Sequence, residues 1–516
     1  MRRLFIRKSI QDFERDVRER GGLRRTLTRW HLTALGVGAT IGAGIFATTG
    51  TAMVGDEFRP GAGPAIVISF LLTAVTCGFA ALCYAEFAAM VPISGSAYTY
   101  AYASLGELVA WIIGWDLIIE YAVGNIGVAI GWAGYFRELL SHFGISLPPW
   151  LATDFRSAHN AAEAVANGAT DATTTYLASA IQQAPTVLGL PFIANLPAFM
   201  IVALITTILV IGIRESANSN NAMVVLKIAV ILFFCAVGIT LIKPVNWNDP
   251  ALGGFAPNGW AGISAGAAII FFSYIGFDAT STAAEEAKDP ARDMPFGIIM
   301  SLVICTVLYI VLSLVMAGMA PWNRLGTAEP MVTALALAEG SPRLLSISRL
   351  IVSLGAVIAM TSVLLVFQLG QPRIFMSMAR DGLLPPFLAK VHPRFRTPYV
   401  GTLMTGTFVA CFAAFANIAE VVDLTNIGTL FAFVLVSAGV IVLRKTDPDR
   451  PRPFRAPLVP LTPIISIVAC LYLMLQLPTL TWIRFGIWLL LGLLVYLLYG
   501  MRHSRLARQI RTNREV

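Results

Sequence analysis

Charge is what this chain is shortest of. Only 13% of its 516 residues are Asp, Glu, Lys or Arg, against about 25% in a typical soluble domain. That excludes a water-solvated surface over most of its length. Histidine is nearly absent: His31, His142, His159, His392 and His503 all fall in loops or at the ends of apolar runs. The six cysteines, Cys77, Cys83, Cys235, Cys305, Cys411 and Cys470, lie inside apolar runs, none paired with another as in a metal loop, and packing is their default role. Metal or nucleophilic catalysis within the apolar part therefore lacks its usual parts. The chain is not read as an enzyme, and neither a metal nor a cofactor is expected. Period-two alternation is missing too, which excludes the pattern of an outer-membrane barrel. No short apolar segment precedes Leu32, so no cleavable signal is expected.

Hydrophobicity is what the chain has in excess, with 57% hydrophobic residues and a mean hydropathy of +0.73. Apolar runs near 20 residues recur, enough to cross a bilayer as helices. Twelve are read at about 32–54, 62–91, 98–140, 195–213, 218–242, 258–286, 294–320, 346–379, 397–416, 420–443, 461–479 and 480–500. The third and eighth exceed what a bilayer needs, which predicts helices that tilt or protrude. The net charge of +8 would suit a nucleic-acid partner, but its distribution suits a membrane instead. With the N-terminus inside, 28 of the 37 Lys and Arg fall on that side and eight on the other, Lys227 lying within a helix. Such a bias predicts a multi-pass protein of the cell membrane, of the bacterial inner-membrane type, with both termini cytoplasmic. Its surroundings are then lipid bilayer, with no nucleic acid.

The fold class expected is all-α and integral to the membrane. Residues 1–31 form a cytoplasmic tail, 32–242 a first five-helix unit, 258–443 a second, 461–500 two further helices and 501–516 a cytoplasmic tail. Residues 141–194 are one long outside loop, rich in Ala, Thr and Asn, in which a short surface helix is anticipated and no chemistry is found. The first run reads GVGATIGAGIFATTG (36–50) and the sixth AGISAGAAIIFFSYIGFDATSTAAEEAKDP (261–290). Each joins a long apolar stretch to an internal glycine cluster or a buried acid. They are corresponding members of the two units, the mark of an inverted-repeat transporter with discontinuous first and sixth helices. Unwound backbone in lipid must line a cavity or bind something polar. An amino acid supplies both partners, a carboxylate for N–H groups at a half-helix N-terminus and an ammonium for carbonyls at a C-terminus. Glycines also let helices pack closely, and that is the competing reading of this cluster.

Four stretches carry a resemblance: GATIGAGIF (38–46), WDLIIEYAVG (115–124), SYIGFDATSTAAEEAKDPARDMPFGI (273–298) and QPRIFMSMARDGLLPPFLAKVHPRFRTPYVG (371–401). Over roughly residues 28–500 the chain resembles the amino acid–polyamine–organocation superfamily, and within it the cationic amino acid transporters. The resemblance implies the leucine-transporter-type fold of 5+5 inverted repeats with two added helices. It implies that the substrate carboxylate meets backbone around Gly42, Ala43 and Gly44. The ammonium would meet carbonyls near Thr40 and Ile41, and near Phe272, Ser273 and Ile275 in the sixth run. Many members carry Ser where this chain has Ala43, so one hydroxyl contact is absent. Phe272 resembles the family's aromatic gate over the substrate, though a plain core role suits it equally.

Ionisable residues at membrane depth default to functional hypotheses. Asp116, Glu120, Lys227 and Asp278 stand out. Asp116 and Glu120 share a helix face at i,i+4, where like charges repel, so one is expected to be paired, hydrogen-bonded or protonated. Lys227 resembles the lysine that takes the place of a sodium ion in proton-coupled relatives, reaching first-helix carbonyls and Thr361 or Ser362; the alternative is a snorkelling lysine. Lys227, Glu120 and Asp278 are the candidate proton-coupling groups. The charges from Glu285 to Asp293 read as a solvated cluster, or as an inner gate. Met360, in SLGAVIAMTSVLLV (353–366), falls where eukaryotic members that carry arginine and lysine show a serine. An apolar methionine there predicts a shortened pocket, since burying an unpaired guanidinium is costly; core packing is the alternative. The expected function is thus secondary active import of amino acids by alternating access, coupled to protons, with alanine-sized neutral substrates favoured over cationic ones. An exchanger, a cationic amino acid or polyamine carrier, and a membrane amino acid sensor are the rival readings.

Overall fold

The computed structural model describes residues 7–8, 25–91, 96–166, 172–187, 189–212, 217–506 and 508. Each of the twelve apolar runs contains a helix. Nine helices among the described residues are long and apolar enough to cross a membrane, and three shorter apolar ones, Leu196–Ile211, Tyr399–Phe415 and Leu461–Leu475, accompany them. In chain order the helices that matter below are α1 (Arg29–Thr40), α2 (Thr49–Val54), α3 (Ile66–Met90), α4 (Ser96–Ser104), α5 (Glu107–Ile118) and α6 (Gly124–His142). They are followed by α7 (Phe155–Ala166), α8 (Ala172–Gln183), α9 (Leu196–Ile211), α10 (Ala217–Ile239), α11 (Gly259–Ile270) and α12 (Pro290–Met319). Last come α13 (Pro330–Leu337), α14 (Pro342–Arg380), α15 (Tyr399–Phe415), α16 (Ile418–Thr446), α17 (Leu461–Leu475) and α18 (Thr479–Val495). The only strands among the described residues are β1 (Thr186–Val187) and β2 (Leu190–Pro191), a two-residue antiparallel ribbon.

Burial sorts the helices into a centre and a shell. In the most apolar windows of Arg29–Val54, Glu107–His142 and Gly259–Ala284, 89%, 94% and 89% of residues are buried, against 22% in Thr479–His503. The first, third and sixth apolar runs therefore form the middle of the bundle. The shell turns apolar side chains such as Leu490, Ile487 and Val468 outward, as a lipid-facing surface requires.

Two readings of the sequence need correction. The third run is not one helix: α4 ends at Ser104, and Gly106, with φ +101°, turns the chain before α5 begins at Glu107. Only glycine takes that backbone region readily, and hydropathy alone does not register such a break. The 141–194 segment is also more ordered than expected. It holds α7, α8 and the ribbon, closed over a small apolar cluster of Ala158, Ala180 and Ile193. The basic residues 2–3 and 15–24 of the expected cytoplasmic tail lie outside the described residues.

Candidate binding site at the helix breaks

The first run breaks where α1 ends. Ile41 is extended, Ile41 and Gly42 bend, and the chain resumes as a π-turn (Gly44–Thr48) leading into α2. The sixth breaks after α11 and one 3-10 turn (Phe271–Tyr274). Ile275 is extended, Gly276 has φ +119°, and a second 3-10 segment starts at Asp278. Both breaks depend on glycine. A Cβ on Gly44 would stand 2.3 Å from Ser273 Cα, and one on Gly276 would stand 2.7 Å from the carbonyl carbon of Ala39. The two unwound segments thus touch, and Thr40, Ile41, Gly42, Ala43, Gly44, Ser273 and Ile275 share one place in the middle of the bundle.

A broken helix strands backbone groups that must find partners. Most are taken by neighbouring helices. Lys227 Nζ on α10 donates to Gly38 O at 2.5 Å, and Tyr309 OH on α12 to Thr40 O at 3.1 Å. Tyr135 OH on α6 donates to Phe46 O at 2.6 Å. Asn426 Nδ2 on α16 donates to Ala268 O at 2.7 Å and Ile269 O at 3.2 Å. Left over are the N–H groups of Gly42, Ala43 and Gly44 and the carbonyls of Ile41 and Ile275, which among the described residues make no backbone hydrogen bond across the breaks. The buried hydroxyls of Thr40 and Ser273 also lack partners among the described residues. Donors on one side and acceptors on the other, all water-poor, suit a small zwitterion.

Beside the breaks runs a row of α6 glycines. A Cβ on Gly131 would meet Ala47 Cβ at 3.0 Å, Ala43 Cβ at 3.4 Å and Met360 Sδ at 3.6 Å; one on Gly127 would meet Val421 Cγ1 at 3.3 Å and Phe272 Cζ at 3.4 Å. Phe272 and Met360, both buried, therefore stand at two stations along one apolar wall.

The acids sit just beyond the sixth break. Glu120 lies on a π-turn (Ile119–Val123), and its carboxyl is within hydrogen-bonding reach of Asp278. Asp278 Oδ1 accepts from Gly276 N–H at 3.3 Å. Asp116 Oδ1 is buried without a partner among the described residues, as are the hydroxyls of Tyr84 and Thr280. Asp116 turns toward α16, its Oδ1 2.8 Å from where a Gly428 Cβ would be. Lys227 is fully buried, so its ammonium points into the bundle and not toward an interface. It does not bond Thr361 or Ser362, whose hydroxyls donate to Val357 O and Ala359 O.

One pair escaped the sequence reading. Arg59, in the turn after α2, donates from Nη1 to Asp423 Oδ1 on α16 at 2.8 Å and from Nη2 to Asp423 Oδ2 at 3.1 Å. Burial opposes the Arg59 charge, yet Asp423 and Asp56 outweigh it and hold the guanidinium above the ordinary arginine range. Beneath the pair lies a cavity of about 10 Å³ lined by Ala47, Thr48, Ile269 and Val422, room for about one water. The signal in the sequence was an acid inside an apolar run, VVDLTNIG (421–428). At the opposite end the segment before α1 pairs with the end of the sixth run: Thr26 and Leu27 N–H donate to Glu286 O, and Lys288 N–H to Leu27 O.

A family model described as "Amino acid permease" matches residues 27–501. The chain is 45% identical to the branched-chain amino acid permease BcaP of Bacillus subtilis (strain 168) over 503 residues, 98% of this chain and 99% of that one. It is 43% identical to the methylthioribose transporter of the same organism over 507 residues, covering 98% and 100%. The vacuolar cationic amino acid transporter 4 of Arabidopsis thaliana is 35% identical over 430 residues, covering 83% and 64%. These relatives are named transporters and permeases, not enzymes, and the chain belongs to the amino acid permease family of multi-pass membrane proteins.

Proposed function

We propose that this chain is a proton-coupled importer of neutral, apolar amino acids that works by alternating access. Twelve spans would be arranged as two inverted five-helix units and two added helices, with both termini cytoplasmic. The observation that carries the reading is the meeting of the two helix breaks, with free N–H groups at Gly42, Ala43 and Gly44 facing free carbonyls. A substrate carboxylate would take the first set and its ammonium the carbonyls of Ile41 and Ile275. The side chain would lie along Gly127 and Gly131 between Phe272 and Met360, a wall with no charge to receive a guanidinium.

In this reading the Arg59–Asp423 pair closes the outer mouth, and Lys227 holds the C-terminal end of α1 by its Gly38 carbonyl. Loss of the Lys227 proton turns this charge-assisted bond into the weaker one of a neutral amine and loosens α1, which is how a proton would be linked to opening. Glu120 and Asp278, two carboxyls in contact, must share a proton to stay close without repelling, and so offer a second place for one. The name of BcaP favours a branched-chain substrate, whereas Met360 favours alanine. Both are neutral and apolar. Uptake of labelled alanine and leucine into proteoliposomes under an inward proton gradient tests the proposal, with arginine and methylthioribose as competitors. Accumulation that collapses with a protonophore is expected. Stronger competition by arginine or by methylthioribose than by both neutral amino acids overturns the substrate assignment.

A further inference from the structure

The charged cluster that the sequence places at the end of the sixth run is exposed and borders a cleft. Arg29 and Trp30 at the start of α1 and Asp289, Arg292, Asp293 and Phe296 at the start of α12 line an open cleft of about 510 Å³. Arg29 Cζ lies 5.2 Å above the Phe296 ring and 6.0 Å from that of Trp30, and the two rings meet edge to face at 5.2 Å. Stacking holds the guanidinium plane while leaving its N–H edge open. Two guanidiniums and two carboxylates thus surround one cleft. Yet among the described residues neither Arg29 nor Arg292 makes an ion pair or a side-chain hydrogen bond. The carboxylates are as little engaged: Asp293 accepts only a long bond from the Asp289 N–H, at 3.3 Å.

Three features place the cleft at a lipid headgroup level. It sits at the ends of two apolar spans. Trp30 is 58% exposed, and exposed Trp beside basic residues is characteristic of the membrane–water interface. Finally, an apolar stripe leads away from it: Val303, Val307, Val311 and Leu314 of α12 are all outward-facing, and with Phe296 they fall on one helix face at the 3.6-residue period.

We propose that this cleft binds a zwitterionic phospholipid with a free ammonium headgroup, a phosphatidylethanolamine. Arg29 and Arg292 take the phosphate, Asp289 and Asp293 take the ammonium, and an acyl chain lies along the α12 stripe. Charge complementarity selects this occupant. A purely anionic headgroup would bring its phosphate beside two carboxylates with nothing to offer them. A choline headgroup has no N–H to donate. A free amino acid carries both charges but has no use for the apolar stripe. The bound lipid ties α1 to α12, so it acts on the helix whose far end forms the first break.

Native mass spectrometry of the purified full-length protein, exchanged into equal parts of phosphatidylethanolamine, phosphatidylcholine and phosphatidylglycerol, tests this. Preferential retention of phosphatidylethanolamine is expected. Retention should fall about tenfold in Arg292→Gln, the loss of one charge-assisted contact, and should shift toward phosphatidylglycerol in Asp289→Asn/Asp293→Asn. Equal retention of phosphatidylethanolamine and phosphatidylcholine overturns the proposal. So does retention unchanged by both variants, or displacement of the lipid by millimolar alanine. Arg29→Gln serves as the second probe if Arg292→Gln does not fold.

Discussion

Replacing Lys227 by methionine separates a coupling role from a structural one. The side chains are similar in length, so α10 keeps its packing on α1, α12 and α14. The change removes the donor to Gly38 O. A buried carbonyl left unpaired costs about 1–3 kcal/mol. Against this, the wild type keeps an ammonium out of water at complete burial, a penalty of several kcal/mol per ion that the variant no longer bears. The two effects oppose each other, and the net change in stability is expected within about 2 kcal/mol of zero. Transport should behave quite differently. Without a titratable group at the end of α1, proton-driven accumulation should fall at least about tenfold, the kinetic equivalent of ~1.4 kcal/mol. The assay pairs thermal unfolding of the purified protein with labelled alanine and leucine uptake into proteoliposomes under an inward proton gradient. A variant that accumulates either substrate near the wild-type rate refutes the coupling role. A variant that unfolds far below the wild type shows that Lys227 is a structural strut.

Three further outcomes follow from the same geometry. Met360→Ser should raise competition by larger and cationic amino acids, because it opens the wall beside Ala43 and Gly131; an unchanged competition panel would make Met360 plain packing. Glu120→Gln and Asp278→Asn, tested separately, should each alter the pH profile of uptake, since either change removes the proton shared between two carboxyls; identical profiles in wild type and both variants would argue against a role in coupling. Asp423→Asn leaves Arg59 ion-paired with Asp56 alone, on its own turn, and weakens the closure onto α16, so a cysteine placed at Ala47 should react faster with a membrane-impermeant thiol reagent than in the parent carrying the same cysteine. Equal labelling rates would remove the pair from gating.

The helix breaks were legible because glycine and acid are conspicuous in an apolar run, and both residue types carry local physical meaning. The partners that satisfy those breaks were not. Tyr135, Tyr309 and Asn426 look like ordinary residues of buried helices, and only the fold shows that their polar ends stop at Phe46, Thr40 and Ala268. Arg59 and Asp423 are 364 residues apart, so no spacing rule relates them. Lys227 was readable as an isolated buried cation that bonds first-helix carbonyls, and Gly38 O is one of them; the hydroxyls of Thr361 and Ser362, the further partners considered, are spent on their own helix. Gly106 shows the reverse failure, a single residue that ends a helix inside a run whose hydropathy is continuous.

The central claim is that the paired breaks hold the carboxylate and the ammonium of one molecule. Binding of three ligands with the same side chain tests it most directly: leucine, its decarboxylated amine and its deaminated acid, each measured by calorimetry on the purified protein at one pH. The account predicts that leucine binds and that each analogue binds at least about tenfold more weakly, because losing either charge leaves buried backbone groups unpaired. Binding of the amine or the acid as tight as that of leucine would contradict it.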